Sequence, residues 1–240
     1  MALLALLGIS AFGIVSFVVG LRLVLLSRRT GLLPERLIGI SLFLAGGLGT
    51  ALLVASSFAG DDRWIVATIS ALMINLGVTA LGVFTWRVFR PTLLGATLVA
   101  ACVALLFLSM IVDRFAGEYL GAERSDLSIA IAYAGRLLIY GWATWESFRQ
   151  YALARRRVRI GLTEPLVANR FLLWGIGTSA VLGIWLHALG RELAHRSDLI
   201  ESYLVITVLG SACAVAVWLA FFPPRAYRAR FEGSAALSAP

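Results

Sequence analysis

Lysine is absent from this chain, and all 21 basic residues are arginine. Without a lysine amine there is no side chain to form a Schiff base with an aldehyde. A Walker-type phosphate loop, which needs its lysine, is excluded as well. Charge of either sign is scarce, at 14% of residues, against about 25% in an ordinary soluble domain. The two cysteines, Cys102 and Cys213, both fall inside apolar runs. They support no disulfide framework and read as small core residues. There are only two histidines, His187 and His195. No proline falls inside an apolar run, so nothing in the sequence forces a break within one.

What the chain has in abundance is apolar surface. Hydrophobic residues make up 60% of it, more than a single soluble core of this size can hide. The sequence therefore predicts an all-α integral membrane protein. A spanning helix needs about 20 apolar residues, and seven stretches qualify: 2–26, 37–59, 64–89, 92–112, 127–148, 166–189 and 202–222. The first has no basic leading region and no small-residue cleavage site, so it reads as a retained helix. The expected organisation is a seven-helix transmembrane domain over 1–224, followed by a short basic, disordered tail over 225–240.

The connecting charges orient the bundle. Arg28, Arg29 and Arg36, then Arg87 and Arg90, then Arg155, Arg156, Arg157 and Arg159, and finally Arg225, Arg228 and Arg230 occupy alternate connections and the tail. The intervening loops hold Asp61 and Asp62, then Asp113, Glu118, Glu123 and Asp126, then Glu192, Asp198 and Glu201. With Arg136 set aside, one side collects 15 arginines and 4 acids and the other 5 arginines and 9 acids. The positive-inside rule then places the amino terminus outside and the carboxyl terminus in the cytoplasm of a bacterial-type inner membrane. It also accounts for the basic pI of about 10.5 without a nucleic-acid partner. Arg155, Arg156, Arg157 and Arg159 are expected to meet anionic lipid headgroups at the cytoplasmic face, with protein docking as the alternative.

Arg136 is the most informative residue. It lies ten residues beyond Asp126, roughly 15 Å along a helix and so near mid-bilayer. An intramembrane arginine faces the bundle interior or a cavity. Tyr133 and Tyr140, at i−3 and i+4, share its face. Its side chain points toward the outer side, where Asp113 or Glu201 lies within reach. Asn75 sits deep in the third span with Thr79 on the same face. Arg136, Tyr133, Tyr140 and Asn75 are the candidate ligand-binding set; a purely structural hydrogen-bonded arginine is the competing reading. Asp113, His187, Glu192 and Glu201 gather at outer helix ends as a candidate polar mouth. Two histidines with a carboxylate suit zinc, but these sit at one edge, and neither a metal nor a cofactor is expected. Trp142, Trp145 and Arg149 share a stripe near the cytoplasmic face, read as an aromatic–cation belt. With Trp218, the two tryptophans are expected to close the inner half of the bundle. Glycines within the spans, Gly46, Gly47 and Gly49 among them, read as packing sites.

Two resemblances follow. Seven spans with an outside amino terminus and this length resemble the microbial rhodopsin layout. The middle of the last span, Val208-Leu209-Gly210-Ser211-Ala212, has no lysine to hold retinal, so the resemblance implies a bundle without that photochemistry. Gly31-Leu32 and Pro34 ahead of Leu44–Thr50 match Gly161-Leu162 and Pro165 ahead of Leu173–Thr178. This suggests a 3+1+3 parallel repeat, a plan similar to that of SWEET and PQ-loop transporters. That family's Pro-Gln pair is absent. The functional expectations are a receptor-like or ligand-binding protein acting through a cytoplasmic partner, or a small-solute transporter. No carboxylate pair, nucleophile–base set or histidine cluster lies within the spans to support an enzyme.

Overall fold

A segment in lipid must satisfy each backbone N–H and C=O within itself, which leaves the helix as the natural state of these apolar stretches. The computed structural model describes residues 2–114, 126–195 and 199–236, and every regular element among them is helical. The order is α1 (Ala2–Thr30), α2 (Leu33–Ser56), α3 (Gly60–Phe89), α4 (Leu93–Arg114), α5 (Asp126–Arg159), α6 (Pro165–Leu193), α7 (Leu199–Phe221) and α8 (Arg225–Ala236). Six of them, α1 to α4 with α6 and α7, are long and apolar enough to cross a membrane. The chain has the build of a multi-pass membrane protein. On its described residues the 34-residue α5 is not among the six; Arg136 and Glu146 interrupt its apolar run.

Consecutive helices are neighbours from α1 through to α7, α7 packs back on α1, and α3 also touches α5. Val78, Leu81, Ile139, Tyr140, Trp174 and Val217 fill the space they enclose. Two connections are built alike. Gly31 and Gly161 adopt φ of 71° and 72°, the left-handed conformation in which glycine closes a helix without a Cβ penalty. Pro34 and Pro165 then stand in the first turn of the next helix, where a missing N–H costs nothing. The likeness stops past these turns. Residues Leu42–Gly49 of α2 form a π-helix, whereas the matching part of α6 is α-helical. Widening the turn displaces carbonyls from their usual partners. The Thr50 hydroxyl donates to the Ala45 carbonyl (3.1 Å), and Ser70 of α3 donates to the Gly49 carbonyl (2.8 Å).

The segment expected to be a disordered tail contains α8. Asn169 Nδ2 of α6 donates to the Tyr227 hydroxyl (2.8 Å), and Tyr227 stacks edge-on with Phe231 one turn later. The Asn169–Tyr227 hydrogen bond ties the start of α8 to α6. Glu118 and Glu123 lie outside the described residues, as does the end of the tail after Ala236.

Candidate functional site

Three helices bring the intramembrane polar residues together. Arg136 of α5 donates from Nη2 to Asn75 Oδ1 of α3 (2.8 Å). Asn75 is fully buried, and its Nδ2 donates to the Leu106 carbonyl of α4 (3.0 Å). Thr79 donates back to the Asn75 carbonyl (2.8 Å). The Arg136 guanidinium also lies 4.7 Å from the ring centre of Trp185 on α6, a cation–π contact that gains strength away from water. Tyr133 meets the same indole edge-on and donates its hydroxyl to Glu192 Oε1 (2.7 Å). Arg136, Asn75 and Tyr133 thus join one network that runs to the acidic end of the bundle. Tyr140 lies further along α5, against a central cavity of about 30 Å³, room for about one water.

Arg136 was expected to reach Asp113 or Glu201. Among the described residues it meets Asn75 and Trp185; Glu201 is exposed, and the Asp113 side chain lies outside the described residues. Of the residues expected at the polar mouth, Glu192 accepts from Tyr133, and His187 Nε2 shares a hydrogen bond with Ser202 (3.1 Å). The helix ends at Leu193, and His195 sits beyond it with φ of 49°, so Glu192 and His195 do not share a helical face. Replacing the buried Asn75 by leucine removes an acceptor from a half-buried cation and should cost about 1.5–3 kcal/mol. Arg136→Leu should cost less, since it also deletes a charge whose insertion costs about 2.5–3.5 kcal/mol. Chemical unfolding in detergent ranks the two; the reverse order would show that Asn75 is not the acceptor that matters.

Two of the three tryptophans expected to seal the arginine-rich half do not do so. Trp145 is 68% exposed, and Trp218 faces outward, stacked on Phe222. Arg149 belongs to no aromatic belt; it donates to Glu146 Oε2 (3.2 Å), and Arg90 Nε donates to the other oxygen (2.7 Å). Glu146 is 1% exposed and is a residue the sequence reading passed over. The signal was present in its spacing three residues before Arg149, on a helix that must face its neighbours.

The arginine-rich end opens as a cleft of about 320 Å³ between α1, α2, α3, α6 and α7. Phe84, Phe171 and Trp174 wall it, and Arg22, Glu35 and Arg170 stand among them. Glu35 accepts from Thr30 Oγ1 (2.6 Å), while Arg22 lies over the Phe222 ring at 4.2 Å. Neither Arg22 nor Arg170 has a carboxylate partner among the described residues. Trp174 also lines the central cavity that Tyr140 borders, so one indole separates the cleft from the middle of the bundle. None of these cleft residues was singled out from sequence, because their neighbourhood exists only when five helices meet.

Comparison with protein families, with curated proteins and with solved structures matches nothing to this chain. The rhodopsin and SWEET likenesses gain no support from it.

Proposed function

We propose that the chain is a seven-helix integral membrane protein of ligand-binding, receptor-like type, with α5 as the remaining span and the cleft at its arginine-rich end as the ligand's entry. The observation that carries this reading is the cleft itself: an aromatic-walled recess with a few convergent polar groups, within the size range of small-ligand sites at about 300–1,000 Å³. Tyr140, Arg136, Tyr133 and Asn75 continue the polar line beyond Trp174 and form the far side of the site. A bundle of this kind passes its state to a cytoplasmic protein partner, and anionic lipid meets Arg155, Arg156, Arg157 and Arg159. All four of these arginines are exposed. An extract of the host membrane should raise the unfolding temperature of the purified protein. An unchanged temperature at saturating extract would count against a ligand site.

The orientation follows from the charge asymmetry. Cysteines introduced at Asp62, Gly121 and Arg230 should separate under a membrane-impermeant thiol reagent, with the first two labelled from outside and the third only after lysis. Native Cys102 and Cys213 are buried and free. Labelling of position 230 in intact cells would invert the topology and place the cleft on the outer side.

The shared position of Trp174 favours a second reading, transport of a small solute from the cleft to the centre of the bundle. It requires an opening past Trp174 that leads on to the Arg136 network. Solute uptake into proteoliposomes that is lost in Trp174→Leu but retained in Trp145→Leu would select it.

A further inference from the structure

The cleft has three chemical features that a single kind of ligand satisfies together. Its walls are apolar and aromatic, with Phe84 and Phe171 facing the same space. Two of its cations, Arg22 and Arg170, lack a carboxylate partner among the described residues, and the one acid present, Glu35, already accepts from Thr30. At its inner boundary the Trp174 indole N–H is buried, with only 9% of the residue exposed, and has no hydrogen-bond partner. A buried donor left unsatisfied costs free energy, so its presence calls for an acceptor.

Spacing ties the polar features to one another. Arg170 and Trp174 are at i and i+4 of α6, on one face and about 6 Å apart along the axis. An acid group held by the arginines therefore places its next few atoms beside the indole. We infer that the cleft takes a single-chain anionic amphiphile that carries a second acceptor oxygen close to its acid group. The acid rests against Arg22 and Arg170, the acceptor receives the Trp174 N–H, and the apolar chain runs along the phenylalanine wall. A two-chain phospholipid fits less well, because the recess of about 320 Å³ lies at the small end of ligand pockets. This inference rests on the ligand-binding reading above and adds the chemistry of the ligand.

The test uses the full chain in phosphatidylcholine nanodiscs and four radiolabelled probes: N-palmitoylglycine, palmitate, hexadecanol and dipalmitoylphosphatidylglycerol. N-palmitoylglycine has an acid with an amide oxygen nearby, palmitate the acid alone, and hexadecanol no charge. Saturable binding should be tightest for N-palmitoylglycine, weaker for palmitate and weakest for hexadecanol. The double variant Arg22→Gln/Arg170→Gln should lose about tenfold in affinity for both acids, the scale of one charge-assisted hydrogen bond, and change little for hexadecanol. Both arginines are exposed, and an unchanged unfolding temperature confirms the fold. Trp174→Phe keeps a ring in place and removes the donor. It should bring N-palmitoylglycine down to the affinity of palmitate and leave palmitate itself unmoved. Equal binding of hexadecanol and palmitate, or no effect of the arginine variant, would overturn the anionic assignment while leaving a ligand site standing. Tightest binding of the two-chain phospholipid would overturn the single-chain assignment. If none of the probes binds and membrane extract also fails to stabilise the protein, the ligand-binding reading falls with it.

Discussion

Removing both arginines from Glu146, as Arg90→Ala/Arg149→Ala, should destabilise the protein far more than removing Glu146. The asymmetry comes from where each partner sits. The Glu146 side chain is 2% exposed, whereas those of Arg90 and Arg149 are 46% and 42% exposed. If the carboxylate is lost, as in Glu146→Gln, each guanidinium can turn to water or headgroups, and an ion pair with such access is worth little. If the arginines are lost, the carboxylate is left buried without a counter-charge, which costs about 3–5 kcal/mol. Either single arginine variant should lie between these limits, since the other arginine still holds one carboxylate oxygen. Adding Glu146→Gln to the double arginine variant should restore most of the stability. Unfolding midpoints of the parent and the five variants in one detergent check the ordering. A double arginine variant as stable as the parent would mean that water reaches Glu146 directly.

This cluster also shows how backbone and side chain cooperate. Arg90 precedes Pro91, and a residue before proline is pushed out of the helical region; Arg90 has φ of −142° and ψ of 69°. The last turn of α3 widens into a π-helix over Thr85–Phe89. The helix therefore ends with Arg90 swung across to α5. Since α5 carries both Glu146 and Arg136, these two charged groups lie about 15 Å apart along the axis. One is tied to the end of α3 and the other to the middle of α3 through Asn75.

Gly77→Ala should be strongly disruptive, and Gly141→Ala should be harmless or favourable. A Cβ at Gly77 would lie 2.5 Å from the backbone nitrogen of Ala45 and 2.9 Å from the Ser41 carbonyl oxygen. Both obstacles are main chain, so α3 and α2 would have to separate. Overpacking of this kind costs about 1–3 kcal/mol and occasionally more. The upper end is expected here, because no side chain can turn aside. At Gly141 nothing lies within 4 Å of the added carbon. There the change removes the conformational penalty of a glycine inside a helix, about 0.5–1 kcal/mol. The same chemical change on two helices of one bundle should therefore have opposite signs. Thermal unfolding of the two variants side by side measures it, and equal destabilisation would show that helix separation is not the cause at Gly77.

The primary structure by itself determined the membrane character of the chain and the approximate positions of its long apolar helices. Both follow from local quantities: an apolar run of sufficient length, a glycine and a proline at its ends, and arginines in alternate connections. Arg136, Tyr133 and Asn75 stood out for the same reason, since a polar group in an apolar run is conspicuous wherever the run is placed. Only the tertiary structure decided what those groups meet. Arg136 binds Asn75 and Trp185 because α3 and α6 stand beside α5, and sequence separation carries no information about that. The π-helical turn of α2 depends on donors at Thr50 and Ser70, the latter supplied by another helix. The cleft is the extreme case. Arg22, Glu35, Phe84, Arg170 and Trp174 are each ordinary within their own helix, and they become a recess only where five helix ends converge. Trp145 and Trp218 mark the same limit from the other side. An aromatic residue near a helix end can face the bundle or the lipid, and which way it turns is set by the helices beside it.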